Sequence, residues 1–164
     1  MTANDVASLL SLIEARYGSL EHPSFSFVTH VVEENPYRVL VKQLREMGDV
    51  EDVTDLNDDV SFAYTLRDKE SEWYLMLSML GPYAVLLRPD GKVYRVSEKR
   101  AGVSGLEERV HNLLAGHGLH VLGRPLLETP VALQLHNTGP ERVRLFQALF
   151  TDTDFLPWDE ASAA

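Results

Sequence analysis

The sequence predicts an α+β domain, a mainly antiparallel sheet with about four helices packed on it, and three observations carry that expectation. Residues 60–96 read as four consecutive strands separated by turn-forming residues. Four other segments repeat apolar residues at helical spacing, and each needs a surface to cover. The 164 residues, 45% of them hydrophobic, suffice for one core, and neither a linker nor an internal repeat divides them. A single domain over residues 1–160 is expected, with the terminal ASAA, 161–164, as a disordered tail.

The elements follow in chain order. Val6, Leu9, Leu10, Ile13 and Tyr17 form one stripe of a helix from about Asp5 to Tyr17, stopped by Gly18. Phe25 to Val32, rich in aromatic and β-branched residues, suggests an N-terminal strand. Asn35 followed by Pro36 offers a helix cap with proline in the first turn, and Tyr37, Leu40, Val41 and Leu44 share a face before Gly48.

The meander begins with Val60, Phe62, Tyr64 and Leu66 alternating against Ser61, Ala63, Thr65 and Arg67, the pattern of a half-buried strand. Residues 72–80 are apolar on both faces and so suit a central strand; RDKESE links the two as a hairpin loop. Tyr83–Arg88 and Lys92–Val96 flank Pro89-Asp90-Gly91, where proline fixes φ and glycine accepts φ > 0.

Ser104 with Glu107 reads as a capping box ahead of Leu106, Val110, Leu113 and Leu114, and Thr138 with Glu141 reads as another ahead of Val143, Phe146, Leu149 and Phe150. Between them, Leu119–Leu122 and Val131–Leu135 are candidate short strands, restricted to edges by Pro125 and Pro130.

The formal charge of −10 is uneven: residues 1–60 carry −8, residues 61–124 carry +2 and residues 125–164 carry −4. A field of that sign repels phosphate backbones and anionic lipid and speeds encounter with basic proteins, so nucleic acid and membrane are not expected partners. With no cysteine, the chain has no disulfide, thiolate nucleophile or cysteine-ligated zinc. The N-terminus lacks the basic n-region and apolar run of a signal peptide, and Trp73–Leu87 is shorter than the roughly 20 apolar residues of a membrane helix; a cytoplasmic protein is the expectation.

The run DVEDVTDLNDD carries Asp49, Glu51, Asp52, Asp55, Asp58 and Asp59 without one basic residue. The ordinary fate of such a run is a solvated loop. Its oxygen donors could also hold calcium, but the glycine and the closing glutamate of an EF-hand loop are missing, so no metal is assigned. Its functional reading is a face for a basic protein partner, with Trp158 in the apolar TDTDFLPWDE segment as an aromatic anchor; the same tryptophan could instead dock on its own domain.

The histidines give two further groups. His111, His117 and His120 lie within ten residues, and His30 neighbours Glu33 and Glu34; either could serve a small metal- or His/Glu-dependent hydrolase. A histidine near a helix C-terminus is also favoured by the helix dipole alone, and neither group comes with an evident nucleophile. Gly102-Val103-Ser104-Gly105 misses the nucleophile-elbow spacing by one residue, and Arg88, Lys92, Arg95, Lys99 and Arg100 suit the protection of an edge strand.

The sequence therefore predicts a noncatalytic, cofactor-free binding module that engages, and in the inhibitor reading restrains, a basic protein such as a toxin. Immunity proteins and secretion chaperones are similar in size, charge and element mix, without a shared motif. A homodimer is a third form of binding.

Overall fold

The computed structural model describes residues 3–69, 71–99 and 105–159. It is an α+β fold in which a mostly antiparallel sheet carries helices on both faces. The strands are β1 (Asp49–Asp52), β2 (Ser61–Arg67), β3 (Glu72–Ser78), β4 (Tyr83–Asp90), β5 (Val93–Val96) and β6 (His120–Val121). The first five form an antiparallel meander in sequence order. β5 and β6 both pair with β4, β5 beside Leu87–Asp90 and the parallel β6 beside Tyr83–Ala84.

The meander matches its sequence pattern except at its last turn, where Pro89 and Asp90 belong to β4, opposite Tyr94 and Val93, and Gly91, at φ 66°, turns the hairpin with Lys92. β2 departs from it: Ser61 and Ala63 are as buried as Phe62 and Tyr64, because both faces of the sheet are covered. A polar residue in such a place must find a partner. The Ser61 hydroxyl donates to the Phe150 carbonyl at 2.8 Å, and its cross-strand neighbour Ser78 donates to the Leu149 carbonyl at 2.7 Å.

The helices are α1 (Ala3–Tyr17), α2 (Phe27–Glu34), α3 (Arg38–Met47), α4 (Leu106–Gly116), α5 (Arg124–Leu127) and α6 (Leu145–Leu149). One face of the sheet packs on Leu9, Ile13 and Tyr17 of α1, on Phe146 and Leu149 of α6, and on Trp158. The opposite face packs on Leu40, Val41 and Leu44 of α3 and on Leu106, Val110 and Leu114 of α4. Each fully buried Leu or Phe of these stripes contributes about 1.5–3 kcal/mol of transfer free energy. Tyr17, in the first layer, donates its hydroxyl to the Ala148 carbonyl at 2.7 Å, and burial raises its pKa well above the ordinary tyrosine value.

Several expectations are corrected. Phe25–Val32 is not a strand: residues 27–34 are helical, with Phe27, Val28, Val31 and Val32 on one side against both cores. Spacing of one and four residues put those side chains on a shared helical face, and this outweighed their β propensity. Asn35 closes α2 in the left-handed region (φ 39°), and its Oδ1 then accepts the Tyr37 N–H at 3.2 Å, so α3 starts later than the Asn35-Pro36 cap implied.

Thr138 does not cap a helix; its buried hydroxyl lies 2.7 Å from Asp152 Oδ1, and α6 begins where the Gln147 side-chain carbonyl accepts the Arg144 N–H. Leu119–Leu122 contains β6, whereas Val131–Leu135 forms no strand beyond the isolated bridge of Pro130 to Arg144. The Ser104 cap and the 161–164 tail lie outside the described residues.

The acidic run also gains structure that the sequence did not suggest, since its first four residues are β1, the terminal strand of the sheet. Gly48 makes the approach possible: a Cβ there would stand 2.9 Å from the Arg67 carbonyl oxygen. Asp49 then sits opposite Arg67, and Val50 opposite Leu66, its side chain packed on the α3 side. Among the described residues, β1 has no strand partner on its outer edge.

Candidate functional site

The six carboxylates of the run divide into two kinds. Asp49, Glu51, Asp52 and Asp55 are exposed, on β1 and the turn after it. Of these, Glu51 reaches Arg67 at 3.5 Å, but Arg67 is drawn more closely to Glu72, at 2.6 Å, so one cation serves two acids. Asp52 and Asp55 also build the local backbone: Oδ1 of Asp52 accepts the Thr54 N–H and Oδ1 of Asp55 accepts the Asn57 N–H, each at 3.0 Å.

Asp58 and Asp59 face the protein instead. Asp58 accepts from the Asn137 side-chain amide at 2.8 Å and its carbonyl accepts the Asp152 N–H at 3.0 Å, while Asp152 Oδ2 takes the N–H groups of His136 and Asn137. Asp59 is 7% exposed and its Oδ2 accepts the Asp55 N–H at 2.8 Å. Burial raises its carboxyl above the ordinary value, opposed by hydrogen bonds from Asp55 and Thr151. The expectation of one continuous solvent-facing acidic segment is therefore corrected: the exposed part is Asp49–Asp55, and Asp59 belongs to the interior.

Of the two readings of Trp158, the structure shows docking on its own domain in place of an exposed anchor. The residue is 6% exposed, packs edge-on to Phe146 with ring centres 5.3 Å apart, and donates Nε1–H to Glu128 Oε1 at 2.8 Å. Burial works against ionisation of Glu128, yet the indole and Arg124 hold its pKa below the usual carboxylate range. The indole is a core side chain. The exposed aromatics nearby are Tyr94 and Phe155, beside the groove between β5 and the C-terminal segment.

The histidines have separate partners. His117 contacts Gln43, His120 lies against the Tyr83 ring at 5.8 Å, and His136 lies near Phe25 at 6.2 Å. Among the described residues, no three His, Asp or Glu side chains are placed to hold a metal ion. His30 is on α2, paired with Glu34 at 3.1 Å rather than at a strand end. With Arg16, Tyr37 and His117 it lines a cleft of about 500 Å³, where the Tyr37 hydroxyl is already committed to the Ser78 carbonyl at 2.6 Å.

The polar cluster that sequence reading missed joins β5 to α4. The Ser97 hydroxyl donates to Glu107 Oε1 and lies 2.9 Å from Nε2 of His111, and all three residues are buried. A hydroxyl has one proton, so with that proton on the carboxylate the imidazole must donate Nε2–H to the serine oxygen. For His111 that is the reverse of a general base activating a nucleophile; the group that accepts the hydroxyl proton is Glu107. Arg88 adds a contact of 3.6 Å to Glu107, and burial holds the His111 imidazole below its ordinary pKa. The arrangement ties strand to helix. Glu107 and His111, one helical turn apart, were the only signal, because Ser97 follows a different element, β5, and no local periodicity links it to α4.

Family models, curated proteins and solved structures were compared with the chain, and none matches.

Proposed function

We propose that this protein is a noncatalytic binding module of the inhibitor or immunity type, acting in the cytoplasm on a basic protein partner such as a toxin. The observation that carries the reading is the edge strand β1, which together with its following turn exposes Asp49, Glu51, Asp52 and Asp55, while the one cation near them, Arg67, is shared between Glu51 and Glu72. The net charge of −10 adds long-range attraction for a cationic surface and repulsion of nucleic acid. No helix among the described residues is long and apolar enough to cross a membrane. The Ser97–Glu107–His111 cluster supports the noncatalytic side, because all three of its side chains are buried. A secretion-chaperone-like role would use the same face.

The test is capture of partners on immobilised protein from about 0.05 to about 0.5 M salt, which shortens the Debye length from above 10 Å to below 8 Å. The comparison is the variant D49N/E51Q/D52N/D55N, in which Asn keeps the Thr54 and Asn57 hydrogen bonds. A basic protein should be retained by the native chain at low salt and lost by the variant. Identical associations for both chains, or none for the native one, would overturn the reading.

A further inference from the structure

The cover on the α1 face of the sheet is incomplete. Beyond α6 a groove of about 450 Å³ runs between β5 and the C-terminal segment, within the size range of pockets that take ligand groups. Tyr74 and Tyr94 line its sheet side with ring centres 6.3 Å apart, and Phe155 faces them from the C-terminal segment. Two of the large hydrophobic side chains this structure leaves exposed are here, Tyr94 at 38% and Phe155 at 47%.

The floor is charged. Asp59 lines the groove, with Asp55 and Asp58 close enough to act on it electrostatically. Asp59, Tyr74 and Tyr94 line the same groove, and the Tyr74 hydroxyl is pushed up to about 12 by burial and by the nearby Asp59, Tyr94 and Asp55. Lys92, on the exposed β4–β5 turn, is the single cation among the lining residues.

Aromatic faces around a carboxylate form a seat for an organic cation, since ring quadrupole and full charge attract it together. The chain satisfies that chemistry once from its own residues: the Arg142 guanidinium stands 6.0 Å from the centre of the Phe155 ring and pairs with Asp154 at 2.7 Å. Phe155 also lines the groove, so it separates the occupied seat from an open one.

We infer that the groove receives one arginine side chain presented by the basic partner, with its guanidinium toward Asp59 and its stem between Tyr94 and Phe155. Arginine fits better than lysine because its planar head stacks on rings and is more weakly hydrated than an ammonium. The inference rests on the proposed function for the nature of the partner, and it adds a desolvated centre to the acidic edge. Burial disfavours the charged form of Asp59, and a guest cation favours it.

The experiment titrates Nα-acetyl-arginine methylamide into the protein, with the neutral citrulline analogue as control, and follows the ring resonances of Tyr94 and Phe155 by NMR. Saturable shifts at those rings are expected with arginine, with binding of citrulline at least about tenfold weaker. Y94A and F155A, at exposed positions, should each weaken binding roughly threefold to tenfold. D59N should abolish it while thermal melting shows the fold intact. Equal binding of citrulline, or no shift at the groove, overturns the inference. Should the arginine probe fail while partner capture stays salt-sensitive, the groove falls and the acidic edge stands; binding of the probe without partner capture gives the reverse.

Discussion

Removing the Ser97 hydroxyl tests whether the buried cluster holds β5 to α4. In S97A both the Glu107 carboxylate and the His111 N–H lose their partner within an interior where Ser97 is 2%, Glu107 8% and His111 2% exposed. Stranding a buried polar group costs roughly 1–3 kcal/mol, more for a charged one. Two stranded groups set an upper range of roughly 6 kcal/mol, and Arg88, 3.6 Å from the other Glu107 oxygen, offsets part of the carboxylate's share. A loss of about 3 kcal/mol is expected. At about 2–4 °C per kcal/mol for a chain of this size, the melting temperature should fall by roughly 6–12 °C. Urea denaturation followed by circular dichroism measures the loss at constant m-value, and S97A/E107L should recover part of it by removing the stranded carboxylate. A loss below about 0.5 kcal/mol in S97A, the range of an ordinary surface substitution, would refute the structural role of the cluster.

Two other outcomes are expected. Burial holds the folded His111 pKa below its ordinary 6.5, with Glu107 opposing and Lys99 assisting, so the unfolded chain takes up a proton first as the pH falls; stability should be full above pH 6.5 and decline below it, and H111Q should flatten that decline in melts across the acid range. Trp158, packed on Phe146 and bonded to Glu128, should cost about 3–5 kcal/mol on W158A, read by urea denaturation, whereas an exposed anchor would leave stability unchanged.

The part of this fold legible in the sequence was the part set by local pattern. The strands over 60–96 followed from alternation, from continuous apolarity and from the turn at Gly91, all of which act within a few residues, although the turn falls after Pro89-Asp90 and not on them. The stripes of α1 and α3 followed from helical periodicity. The helical state of Phe27–Glu34 was not legible, because its four apolar residues satisfy strand propensity and helix spacing at once, and only contact with two cores at the same time decides. Nor was β1: aspartates are poor strand formers, and Asp49–Asp52 is extended because Gly48 lets it approach Arg67 and β2 supplies the hydrogen bonds.

The candidate site divides in the same way. The sequence by itself determined the concentration of carboxylates over residues 49–59, the charge of −10 and the absence of cysteine, since these are properties of composition that no folding alters. Tertiary structure alone decided which carboxylates meet water. It turned Asp59 and Trp158 inward, left Asp49, Glu51 and Asp52 on a sheet edge and Asp55 on the turn after it, and brought Ser97 to Glu107 and His111. Burial and hydrogen-bond partnership are set by contacts between residues distant along the chain, and the short-range periodicities of a sequence carry no record of those contacts.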